Sequence, residues 1–143
     1  MPAVFEHRFS VPASAIDGQG HVNNLEYLRW MQEAAVAHSD AQGWTAQRYR
    51  ENGSGWVVRS HQIEYLKPAY EADQLVVFTW VADFRKVRSR RKYKIVRPAD
   101  ESLLAVAETD FAFFGLQHRV PRRIPAEVAA AFVIVPPEQE PWG

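Results

Sequence analysis

Residues 15–30 read AIDGQGHVNNLEYLRW and carry one carboxylate, Asp17, on a loop punctuated by Gly18 and Gly20. The glycines allow a sharp bend and close approach of the backbone to another group. Helix signals start immediately after, at Asn23. A helix beginning there turns unpaired N–H groups and the positive end of its dipole toward the loop. A carboxylate beside such donors can attack a carbonyl carbon or activate a water, and the amides near Asn24 can stabilise the resulting oxyanion. That chemistry suits hydrolysis of an activated acyl group and needs no metal, serine or cysteine. The competing reading of Asp17 is a loop aspartate that hydrogen-bonds its own backbone.

The neighbouring polar residues have plainer readings. Asn23 is placed to cap the helix, with Glu26 three residues on to reach back in a capping box. His21 reads as a structural hydrogen-bonder. His38 falls on the apolar stripe of the helix and reads as a satisfied core histidine. Glu33 and Glu64 are the other carboxylates considered, and Glu33 lies on the polar arc. The second chemical feature is basic: Arg85, Lys86, Arg88, Arg90, Arg91, Lys92, Lys94 and Arg97 fall within thirteen residues. It reads either as a solvated strand edge or as a grip for phosphates, which arginine forks match well. Alternation puts Arg88 and Arg90 on one strand face and Arg91 on the other.

Composition excludes several alternatives. Cysteine is absent, which removes disulfides, thiolate metal sites and cysteine nucleophiles. The five histidines have no metal-ligand spacing, so neither a metal nor a cofactor is expected. No GxSxG elbow, Walker A loop or GxGxxG after a strand occurs. Net charge is zero and no RNP-type motif appears, so a small phosphorylated ligand fits the basic cluster better than nucleic acid. No apolar run spans a membrane. MPAVFEHRFSV has neither the basic start nor the apolar run of a signal peptide, and a cytoplasmic location is expected.

The elements that must position these residues follow from periodicity. With 143 residues, one domain covering 1–143 is expected. Segment 3–11 reads as a strand and 12–22 as an irregular loop. Tyr27, Met31, Ala34, His38 and Ala41 form the apolar stripe of a helix over Asn24–Gln42. A short polar helix is expected at 45–51, followed by strands at 56–66, 74–84, 88–96 and 102–116 and a short closing helix after Pro125. Short connections make the strands antiparallel neighbours, so an α+β sheet wraps one long helix. The 74–84 strand lacks polar alternation and needs cover on both faces. The helix supplies one cover and a second subunit or another layer the other, which predicts an obligate homo-oligomer. The proline-rich tail VIVPPEQEPWG is expected to lie extended on the surface.

The loop resembles the opening motif of the hotdog-fold acyl-CoA thioesterases, the 4-hydroxybenzoyl-CoA thioesterase-like family. Asp17, Gly20, His21, Val22, Asn23, Asn24 and Tyr27 match its pattern. VVRSHQIEYLKPAYEADQLVV (57–77), LLAVAETDFAFF and RVPRRIP are similar to later parts of the family. Ala15 stands where many relatives carry a second acid. The resemblance implies a five-stranded antiparallel sheet around a long helix, a homodimer or homotetramer, and active sites at subunit interfaces. It implies hydrolysis of an acyl-CoA (or acyl carrier protein) thioester, with Asp17 as nucleophile or general base and the Asn24 amide on the thioester oxygen. His21, Asn23 and Tyr27 are then candidates for substrate binding, and Arg88, Arg90 and Arg91 for the CoA phosphates. The alternatives are a non-catalytic acyl-CoA-binding module and a hotdog dehydratase or hydratase.

Overall fold

A computed structural model describes residues 3–142. The elements run β1 (Phe5–Ser10), α1 (Asn24–Ala41), α2 (Ala46–Glu51), β2 (Ser54–Tyr65), β3 (Gln74–Arg85), β4 (Arg88–Arg97), β5 (Ser102–Gly115) and α3 (Ala126–Ala129). The five strands form one sheet in the order β1-β3-β4-β5-β2, and every neighbouring pair is antiparallel. This is the expected α+β arrangement.

The sheet curls around α1, whose 18 residues span about 27 Å. Tyr27, Trp30, Met31, Ala34 and His38 form its buried stripe. The first four pack on Leu75 and Val77 of β3 and on Tyr93 and Ile95 of β4. Ala34 has no side chain beyond Cβ and is fully buried, so it lets helix and sheet approach closely. The stripe ends at His38, because Ala41 is exposed. A second cluster, Trp44, Tyr49, Phe113 and Val128, fixes α2 and α3 against the β2–β5 end of the sheet.

β3 is covered on both faces, as its sequence demands. Leu75 and Val77 face α1, while Val76 and Trp80 lie on the opposite face, each 1% exposed. The outer cover belongs to the chain's own tail, the second of the two alternatives, so this face gives no argument for another subunit. Ile134 bridges Val81 in parallel, and Val135 N–H donates to the Val81 carbonyl at 3.0 Å. Further along, Trp142 packs on Phe78 with centroids 6.5 Å apart. Lys92 Nζ donates to Glu140 at 2.8 Å, and Lys94 Nζ to the Pro141 carbonyl at 2.7 Å. A tail rich in prolines has few N–H groups to satisfy, so it can lie extended across a sheet face while lysines reach its carbonyls.

Candidate active site

The Asp17 loop is a closed hairpin. Ile16 and Val22 form an antiparallel bridge, and Asp17 N–H donates to the His21 carbonyl at 2.9 Å. Gly20 N–H returns to the Asp17 carbonyl at 3.2 Å, with Gly20 at φ 86°, where a side chain would strain the turn. The hairpin is tied down at its base. Val22 N–H donates to the Ala69 carbonyl and Asn23 N–H to that of Ala15, each at 2.9 Å. Ala15 is 1% exposed, so a larger acid there would have to displace core packing.

The turn reading of Asp17 is seen directly. Its Oδ1 accepts from Gln19 N–H at 2.8 Å, the backbone bond typical of an aspartate turn. Its Oδ2 lies 3.9 Å from His21 Nδ1, and the carboxylate is about a third exposed, at 29%. The turn therefore orients the carboxylate and leaves one oxygen open. Asn23 caps α1, accepting from Leu25 N–H at 3.0 Å. The expected capping box is not formed, because the Asn23 N–H is already used by Ala15. Glu26 instead pairs with Arg29 at 3.4 Å. Beyond Asn23, the Asn24 amide donates to no protein acceptor among the described residues, while Tyr65 Oη donates to the Asn24 carbonyl at 3.1 Å. Beside the loop is a cavity of about 220 Å³ lined by His21, Asn24, Tyr27, Tyr65 and Lys67, among others. Asp17 is not itself on its wall. Tyr27 is 2% exposed, its ring set against Trp30 and Tyr65, and burial raises its phenol above the usual range.

The basic cluster is split by the pleat. Arg88, Arg90, Lys92 and Lys94 point outward, and each has a partner: Asp110 for Arg88, Glu108 at 3.1 Å for Arg90, and Glu140 and the tail carbonyls for the lysines. The Arg88 guanidinium holds the Asp110 carboxyl below its usual value. Arg91 is 7% exposed and lies beneath α1, so it cannot join an outer phosphate grip, which corrects its place in that cluster. Its Nη1 donates to His38 Nδ1 at 3.0 Å and to Thr79 Oγ1 at 3.1 Å. Burial first, and the Arg91 charge second, push the His38 imidazole down to about 4. His38 is thus neutral and can accept.

Arg91 also lines a second cavity, of about 350 Å³, between the C-terminal half of α1 and the sheet. Its walls are aromatic, with Trp44, Trp56, Phe84, Phe111 and Phe132.

A family model described as "Thioesterase-like superfamily" matches residues 11–132. The chain belongs to this superfamily. The putative acyl-CoA thioesterase YneP of Bacillus subtilis (strain 168) is 28% identical over 98 residues, 68% of this chain and 71% of that protein. Slr0204 of Synechocystis, a 1,4-dihydroxy-2-naphthoyl-CoA thioesterase, superposes with a TM-score of 0.83 at 22% identity, covering 90% of this chain and 94% of that one. SAV2348 of Staphylococcus aureus, solved in complex with CoA, gives 0.84 at 16% identity, with 95% and 90% covered. These likenesses establish the fold as that of the hotdog thioesterases.

Within this thioesterase-like chain, the loop, cap and helix start come together where the motif places them. The aromatic cavity did not emerge from the sequence, because its walls are drawn from six separate stretches. One signal was available: the alternation along β4 that sends Arg91 inward.

Proposed function

We propose that the protein hydrolyses acyl-CoA thioesters to a free acid and CoA, with Asp17 as nucleophile or general base. The observation that carries this reading is a carboxylate fixed by its own turn in the hairpin that leads into α1, whose first amide, that of Asn24, has no acceptor among the described residues. As nucleophile, an Asp17 oxygen bonds to the thioester carbon, the C–S bond breaks, and the thiolate leaves. Water then hydrolyses the mixed anhydride and regenerates the carboxylate. As base, Asp17 takes a proton from a water whose oxygen attacks the same carbon, and the departing thiolate collects a proton. Both routes build negative charge on the carbonyl oxygen, which the Asn24 amide and the helix dipole would stabilise. His21 and Tyr27 line the adjoining cavity and bound the thioester; Asn23 serves through its cap. An acyl carrier protein is the alternative carrier of the acyl group, and the cytoplasm is the proposed setting.

The working unit in this reading is a homodimer or a homotetramer. Asp17 stands at one end of α1 and the aromatic cavity at the other, about 20 Å away along the helix. A second copy with its α1 antiparallel would bring its own Asp17 loop to that cavity. Val36 on α1 and Val57 on β2 are 58% and 48% exposed, which suits contact with such a copy.

The test is thiol release from a panel of acyl-CoAs by the parent and by Asp17→Asn. The amide still accepts from Gln19 N–H, so the turn and the melting temperature are retained. Turnover is expected to fall by about 10²–10⁴-fold, the range of a general-base contribution. A variant close to the parent rate would refute the mechanism. Tight acyl-CoA binding with no turnover by the parent would support a binding module instead.

A further inference from the structure

We infer that the aromatic cavity receives an acyl group bearing a second carboxylate at its far end, and that Arg91 recognises that carboxylate. The inference rests on the thioesterase reading and names a substrate class for it.

Arg91 is more than nine-tenths buried and lines the cavity, yet no carboxylate stands within 4.0 Å of it among the described residues. A buried guanidinium without an anion is costly, so an unpaired one calls for an explanation. Its two protein bonds both come from Nη1, to His38 and Thr79. Neither Nε nor Nη2 donates to a protein acceptor among the described residues. Those donors are not sealed in either, since the only fully buried side-chain donor lacking a partner among the described residues is Trp80 Nε1. Arg91 is on the cavity wall, and these two donors are taken as the groups it presents there. Nε–H and Nη2–H are parallel donors on one edge of the guanidinium, the edge that meets both oxygens of a carboxylate.

The surroundings hold that edge still. His38, neutral and stacked on Phe5 at 5.2 Å, anchors Nη1 from α1, and Thr79 anchors it from β3. The Phe132 ring stands 5.8 Å from the guanidinium carbon. Besides Arg91, the polar groups of the wall are Ser89, Tyr49, which accepts from Trp56 Nε1 at 2.9 Å, and, on α1, Gln32, Ser39 and the acidic Asp40. The rest is apolar, half of it aromatic, which suits a site that binds a flat apolar body and fixes one polar end.

The experiment compares matched thioesters that differ only at the far end: 4-carboxybenzoyl-CoA against 4-methylbenzoyl-CoA, and adipyl-CoA against hexanoyl-CoA. The parent is expected to favour the acidic member of at least one pair in kcat/KM. In Arg91→Met that preference ratio should fall by about 10–100-fold, the scale of a charge-assisted hydrogen bond. Arg91→Lys keeps the charge without the fork and should fall between. Terephthalate is also titrated against Asp17→Asn protein, followed through Trp44 and Trp56 fluorescence, with p-toluate as the neutral control. A parent indifferent to the far carboxylate in both pairs overturns the inference, whether or not the Arg91 variants fold. So does an acid preference that survives Arg91→Met. Quenching by terephthalate without hydrolysis of any thioester would sink the thioesterase reading and leave the Arg91 site standing.

Discussion

The His38 ring stacks on Phe5 from β1, meets Phe132 edge-on and faces the Arg91 cation from β4, with 2% of its surface exposed. An imidazolium there would lack water and oppose a like charge. Its pKa is about 4 in the fold against 6.5 when unfolded. Between those values the unfolded chain binds the extra proton, so stability is full above pH 6.5 and is lost as pH falls toward 4. The loss is at most about 3 kcal/mol. His38→Asn keeps an acceptor near the Nδ1 position and removes the titration. Urea midpoints at pH 7 and 4.5 should therefore converge in the variant relative to the parent, and an unchanged gap would refute this account. Residues of this kind are half legible in a sequence. A histidine on an apolar stripe announces its burial, and Asp17 between glycines announces its turn. Arg91 does not announce itself, because Arg88, Arg90, Lys92 and Lys94 around it point outward and only the two-residue period of a strand says that it turns in.

At the scale of elements, β4 and β5 are joined across their outer face by opposite charges. Arg88 meets Asp110 and Arg90 meets Glu108, each on the diagonal position of the register. Such exposed pairs, screened by solvent, contribute little to stability. A CoA phosphate could use these arginines only by displacing a carboxylate already in place. Arg88→Ala should therefore raise KM by a similar factor for an acyl-CoA and for the same acyl-pantetheine, which lacks the nucleotide. A rise confined to acyl-CoA would restore the phosphate grip. The strand pattern itself was readable: β4 alternates, and β3 does not. The acids opposite were harder to read, since cross-strand register depends on turn geometry and bulges, such as the shift between Ile95 and Val96.

For the whole molecule, the need for an outer cover on β3 was legible, but its source was not. A chain's tail and another subunit bury the same apolar surface, and composition does not distinguish them. The case for association therefore rests on α1 and β2, where Val36, Val57 and Val58 remain exposed. Sedimentation at micromolar protein is expected to give a dimer or tetramer, and a fully active monomer would exclude the proposed shared site.

The two margins of the sheet are unequal. β1 offers six residues at one margin and β2 offers twelve at the other, interrupted by a bulge between Val58 and Ser60. If two molecules join β2 to β2, the contact is isologous, related by a two-fold axis, and it consumes the long margin of both. What is left outside is β1 at either end, half as long as the margin that is hidden, so the exposed edge is the shorter one.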